Sequence, residues 1–308
     1  MQRPLKRRAS EWTKEREKER APTRLRPLAR DSASPCEKRP FRKQAHSSAF
    51  MSVTFVGLGL NDERGLTVEG LDEARKADAV FAELYTNLMP GLDTRNLELL
   101  LGKKVVVLSR FQLEDEGARQ IVEAARDKRV VFLVPGDPMI ATTHVSIRLE
   151  LKKRGVSSRI IHGPSITSAV CGATGLQSYK FGKTVTMPQE SGVPGSLVEG
   201  IMDNRKRALH SLVLLDVRSD RAKQLTVGEA AAKLVASDSS FENWLGVGVA
   251  RVGSEDQLVH AGRLGTLQRE DFGRIPHSLV IPGRLHFVEV EFLKVFCGAN
   301  DADLESVK

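Results

Sequence analysis

Regular hydrophobic patterning begins at Met51 and runs almost to the end of the chain. Val53-Thr54-Phe55-Val56-Gly57 reads as a buried strand ending in a turn. Thr67 is placed to cap a helix whose first turns hold Val68, Leu71, Ala74 and Arg75. Ala79 to Ala82 and Lys104 to Leu108 read as strands, and a polar helix is expected near Asp115 to Asp127. The apolar run Val130 to Val134 stops at Pro135-Gly136. A helix from about Ala141 to Arg154 then leads into the strand Arg159-Ile160-Ile161. Continuous apolar strands alternating with amphipathic helices imply a mostly parallel sheet covered on both faces.

Past Gly163-Pro164 the pattern changes. A small-residue helix is expected to about Thr174, then a strand Thr184 to Met187, a Pro/Gly-rich loop and a helix near Leu197 to Lys206. Leu212 to Val217, Leu245 to Ala250 and Leu279 to Ile281 read as three more strands. The Gly and Pro between them suggest hairpins and a mixed sheet. A helix from about Leu285 to Cys297 closes the pattern. The expected organisation is an N-terminal α/β domain over 51–163, a C-terminal α/β domain over 164–299 and a flexible tail over 300–308.

Residues 1–50 lack this patterning and change how the charge is read. The 308-residue chain carries a formal +8, but its first 50 residues hold 15 Lys and Arg against 6 Asp and Glu. That leaves 32 against 33 for the remainder, which is close to neutral and offers no broad nucleic-acid footprint. Three readings of the tail stay open. It is a disordered appendage or a start assigned too far upstream, a nucleic-acid or ribosome-binding arm, or an organelle transit peptide, the last opposed by its Glu residues. No run approaches the roughly 18–20 apolar residues that span a bilayer. Cys36, Cys171 and Cys297 fit neither a disulfide framework nor a zinc spacing, and point to reduced thiols in the cytoplasm.

Five short motifs follow or precede strands. Val56-Gly57-Leu58-Gly59-Leu60 is either a tight turn or the rim of a pocket. A dinucleotide fingerprint would need a small residue where Asp62 stands. Pro135-Gly136-Asp137-Pro138-Met139 places a carboxylate past a strand end, where open α/β sheets bind ligands, though Asp and Pro equally close plain turns. His162-Gly163-Pro164-Ser165-Ile166 opens a helix, with Ser165 as its cap or as a ligand contact. Arg251-Val252-Gly253-Ser254 and Ile275-Pro276-His277-Ser278 complete the set. No nucleophile elbow, clustered metal ligands or Walker-type loop is present, which argues for chemistry by positioning.

In these residues the chain resembles the diphthine synthases. The likeness is carried by Met51 to Leu60, by Gly136-Asp137-Pro138-Met139-Ile140-Ala141-Thr142-Thr143-His144, by His162 to Ile166 and by Ile275 to Gly283, and extends over about residues 51–299. The resemblance implies a tetrapyrrole methylase-like fold: two α/β domains with S-adenosyl-L-methionine in the cleft between them. It implies a homodimer acting on elongation factor 2, at the amino group of a 3-amino-3-carboxypropyl chain on a histidine, with no membrane and no specific nucleic acid as partner. Carried over by motif, cofactor contacts fall on Leu60, Asp137, Ile140, Ser165, Ile166, Leu215, Val252 and His277. Catalytic residues and metal ligands are assigned to no position. Methyl transfer from a sulfonium is chemistry that rests on alignment. Competing readings are a tetrapyrrole-type methylase of the same fold, a dinucleotide-dependent oxidoreductase, and an RNA- or ribosome-binding protein built around the basic tail.

Overall fold

The computed structural model describes residues 52–190, 192–217 and 224–307, so the readings of the tail lie outside the described residues. Among the described residues, ten strands form two five-stranded sheets. The first holds β1 (Ser52–Gly57), β2 (Ala79–Ala82), β3 (Val106–Val107), β4 (Arg129–Val134) and β5 (Ser157–Ile161) in the order β3-β2-β4-β1-β5. Every pairing in it is parallel. The second holds β6 (Val185–Met187), β7 (Ser211–Leu215), β8 (Leu245–Ala250), β9 (Leu258–Arg263) and β10 (His277–Ile281) in the order β6-β7-β10-β8-β9. There β6 and β7 run parallel while β10 is antiparallel to β7 and to β8, so this sheet is mixed.

Two-sided burial explains the continuous apolar runs. In β4, Val130, Phe132 and Val134 pack with Leu113, Ile121 and Ile147 on one face. The alternate residues Val131 and Leu133 pack with Ala74 and Leu97 on the other. β7 divides likewise, Val213 and Leu215 facing the helices Gly195–Lys206 and Val227–Ser237. Leu212 and Leu214 face the helices Ile166–Thr174 and Phe287–Phe296. The chain passes from the first sheet to the second at residues 162–165, because the helix that follows seats Val170 under the second sheet.

Several expectations need correction. The strand over Lys104 to Leu108 shrinks to Val106–Val107, an exposed edge pair. The polar helix expected near 115–127 is the shorter Arg119–Ala124, preceded by a separate helix Arg110–Glu114 with left-handed Gly117 and Ala118 between them. The helices Thr94–Leu101 and Val227–Ser237 and the strand β9 were not anticipated. The expected loose tail beyond residue 299 is instead a 3-10 turn over Asp303–Val307. Leu304 and Val307 are buried in it, and the Val307 carbonyl accepts from the Leu285 amide at 3.1 Å.

The loops after β1, β4 and β5 meet through glycine. A Cβ on Gly57 would lie 2.5 Å from the Gly136 oxygen and 2.6 Å from the Gly163 nitrogen, and one on Gly163 would lie 2.6 Å from the same oxygen. Gly59 and Gly136 add a two-way backbone bridge, the Gly136 amide donating to Gly59 at 2.7 Å. Gly57→Ala should therefore cost about 1–3 kcal/mol in urea unfolding, the usual cost of overpacking. Gly172→Ala, on an exposed helical site with nothing near its Cβ position, should gain about 0.5–1 kcal/mol. Equal effects at the two sites would refute the junction.

Candidate functional site

A cleft opens where the strand ends of the two sheets face each other. All eight residues proposed from the sequence line it. Leu60 comes from the turn after β1, and Asp137 and Ile140 from the loop after β4. Ser165 and Ile166 open the helix after β5, Leu215 ends β7, Val252 follows β8 and His277 begins β10. The cleft encloses about 120 Å³ and opens broadly to solvent.

The loop Gly136–His144 is tied to itself through Asp137 and Pro138. Asp137 is 6% exposed. Its Oδ1 accepts from the Met139 amide at 2.9 Å, and its Oδ2 accepts from His162 Nδ1 at 2.7 Å. The carboxylate thus closes the turn and joins two loops while lining the cleft. The Pro138 carbonyl accepts from Thr142 Oγ1 at 2.7 Å and from His144 Nδ1 at 3.1 Å. Ala141, between them, has φ +55°, in the region that favours glycine. Ser165 stands at the N-cap position, 7% exposed, its Oγ 2.7 Å from Thr167 Oγ1.

Arg251 organises the opposite wall. It is 7% exposed and left-handed at φ +50°. Its guanidinium donates to the carbonyls of Asp256, Phe272 and Arg274 and pairs with the Asp256 carboxylate at 2.9 Å. One side chain therefore sets the two loops that carry Val252 and His277. Gly253, at φ +87°, brings that wall to Leu60, whose Cβ would lie 3.1 Å from a Cβ on the glycine.

One of the two candidate histidines lines the cleft with both ring nitrogens engaged, and the other lies away from it. The His277 Nε2 donates to the Arg274 carbonyl at 3.0 Å, and its Nδ1 accepts from the Val227 amide at 3.3 Å. That pair fixes the neutral tautomer. Burial, reinforced by Arg251, also lowers its pKa. His144 is fully buried against the edge of Phe132 and is absent from the cleft lining. Burial takes it from the usual 6.5 down to about 4.

Thr86, Asn87, Leu88 and Asp216 also line the cleft and were missed in the sequence. The first three follow β2, whose place beside β4 is a property of strand order. Glu83, fully buried, shapes their turn by accepting from the amides of Tyr85 and Thr86, each at 3.0 Å, and from the Thr86 hydroxyl. Burial raises the Glu83 pKa against those bonds.

Comparison with known proteins agrees with the sequence resemblance. A profile of the Tetrapyrrole (Corrin/Porphyrin) Methylases matches residues 52–268. A diphthine synthase from Archaeoglobus fulgidus is 43% identical over 256 residues, 82% of this chain and 98% of its own. One from Methanocella arvoryzae is 42% identical over 254 residues, 80% of this chain and 98% of its own. A crystal structure of diphthine synthase matches at a TM-score of 0.78 and 42% identity, covering 83% of this chain and all of that one. The chain belongs to the tetrapyrrole methylase family and, within it, to the diphthine synthases. It is a methyltransferase of diphthamide biosynthesis.

The buried His144 sets a testable acid limb. Its folded pKa lies below its unfolded value, so its contribution is whole above about pH 6.5 and fades as pH falls toward about 4. The full span is worth about 3 kcal/mol. His144→Phe should flatten that part of the stability–pH curve. Parallel curves for the two proteins would show that His144 is not held neutral.

Proposed function

We propose that the enzyme transfers methyl groups from S-adenosyl-L-methionine to the amino group of the 3-amino-3-carboxypropyl-histidine on elongation factor 2, giving diphthine. The observation that supports this most is convergence. Eight positions scattered from Leu60 to His277, each assigned to the cofactor by resemblance, line one cleft. The residues present suit that cofactor. Apolar Leu60, Ile140, Leu215 and Val252 offer surfaces for an adenosyl group, and Asp137 and Asp216 bring negative charge to a cationic ligand.

When bound, the cofactor supplies an activated methyl on a sulfonium. The chain contributes alignment and exclusion of water: the self-bonded Asp137 loop forms one wall and the loops pinned by Arg251 form the other. Deprotonation of the acceptor amine falls to solvent or to the acceptor's own carboxylate, since His277 has both nitrogens engaged and His144 lies outside the lining. The oxidoreductase reading is disfavoured because the space beside Gly57 is filled by the backbone of Gly136 and Gly163. We further place the enzyme in the cytoplasm as a homodimer of two-domain chains divided near residue 163. The exposed Phe287, Val288, Val295 and Phe296 on one helix favour a subunit contact.

Titration calorimetry should show binding of S-adenosyl-L-methionine and none of NAD, and Asp137→Ala should weaken the first by about tenfold or more. Binding of NAD alone would overturn the proposal. Under saturating cofactor, His144→Ala and His277→Ala should each keep turnover well above a thousandfold loss, the range a general base supplies. A loss of that size with normal cofactor binding would make the affected histidine catalytic.

A further inference from the structure

The ionisable side chains that line the cleft, among the described residues, are Asp137, Asp216, Arg251 and His277. Three of them are committed. Asp137 holds His162 and the Met139 amide, Arg251 holds three carbonyls and Asp256, and His277 holds the Val227 amide and the Arg274 carbonyl. Asp216 is different. Its carboxylate makes no hydrogen bond and no ion pair with any described residue, although it is half-buried.

Its backbone, by contrast, is firmly placed. The Asp216 amide donates to the Met187 carbonyl at 3.0 Å, which extends the β6–β7 ladder one residue past Leu215. The Asp216 carbonyl accepts from Gln189 Nε2 at 3.0 Å. With the strand alternation continued, Asp216 falls on the face of Leu214, which packs in the cluster holding Ile166 and Val252. A carboxylate on a backbone held at a fixed point of a partly apolar cleft, with its hydrogen-bonding capacity unused among the described residues, is set for a cation with N–H donors.

We propose that Asp216 is the cleft's receptor for an alkylammonium group. The proposal rests on the methyltransferase reading for its choice of ligands, since two alkylammonium groups belong to that reaction. One is the amino-acid end of the cofactor, and the other is the acceptor amine before it loses its proton. Asp216 orients the group it receives, and it is a binding residue for either source.

The test uses the full chain and the variants Asp216→Asn and Asp216→Glu, with far-UV circular dichroism as the check on folding. Calorimetry is run with S-adenosylhomocysteine and with 5′-methylthioadenosine, which lacks the ammonium. Steady-state kinetics are run on elongation factor 2 carrying the aminocarboxypropyl group. If the cofactor is the source, Asp216→Asn weakens S-adenosylhomocysteine by about tenfold or more and leaves 5′-methylthioadenosine within twofold. If the acceptor is the source, both nucleosides bind within twofold of the wild type and the acceptor KM rises by about tenfold or more. In either case Asp216→Glu, which keeps the charge, recovers part of the loss. The proposal is overturned if affinity and KM all stay within twofold, or if 5′-methylthioadenosine weakens as much as S-adenosylhomocysteine. A wild-type protein that binds the nucleosides but does not methylate the acceptor would instead overturn the reading of the substrate, and the calorimetric comparison would still judge Asp216.

Discussion

Three stretches of backbone converge at Gly57, Gly136 and Gly163, and they come so close that no side chain fits between them. The approach is possible because the strands they leave, β1, β4 and β5, are adjacent and parallel. Parallel strands deliver their loops to the same end of the sheet. From this junction the rest of the site follows. The Gly59–Gly136 bridge fixes the start of the Asp137 loop, His162 beside Gly163 donates to Asp137, and Leu60 is carried to the wall set by Arg251. A side chain at the junction would separate the loops, and the cleft with them.

Most of the first sheet was legible because both of its faces are covered. Most positions of β1 and β4 are apolar and buried, the signature of strands covered on both faces. Edge elements were not legible for the same reason in reverse. In β9, Leu258-Val-His-Ala-Gly-Arg263 is mostly half-buried or exposed and takes its form from pairing with β8. The break at Gly117-Ala118 is likewise invisible to periodicity, since a left-handed alanine is a tertiary compromise. The helix Val227–Ser237 was different, because its signal was present and unread. Thr226 and Glu229 form a capping box ahead of an Ala-rich run.

The site was legible as motifs but not as an assembly. Glycine, proline and an acid or hydroxyl past a strand end mark places where backbone is free, and each of those motifs contributes at least one residue to the cleft. Spacing alone left Asp137 poised between a turn-former and a contact, and in the structure its carboxylate closes the turn while the residue lines the cleft. Thr86, Asn87, Leu88 and Asp216 carry no motif. They reach the cleft through strand order and sheet pairing, which bring together residues with no local relation. Burial explains the histidines: His144 and His277 look like acid–base groups in sequence, yet lack of solvent and fixed partners keep both neutral.

We place the methyl donor in one cleft built from both sheets. A crystal structure of the chain with S-adenosylhomocysteine tests this directly. The ligand should lie against Asp137, Ser165 and His277, touching loops from both sheets, with the Gly57–Gly163 contact intact beneath it. A ligand held only at the Gly57–Gly59 turn, in the manner of a dinucleotide on a Rossmann sheet, would contradict the account.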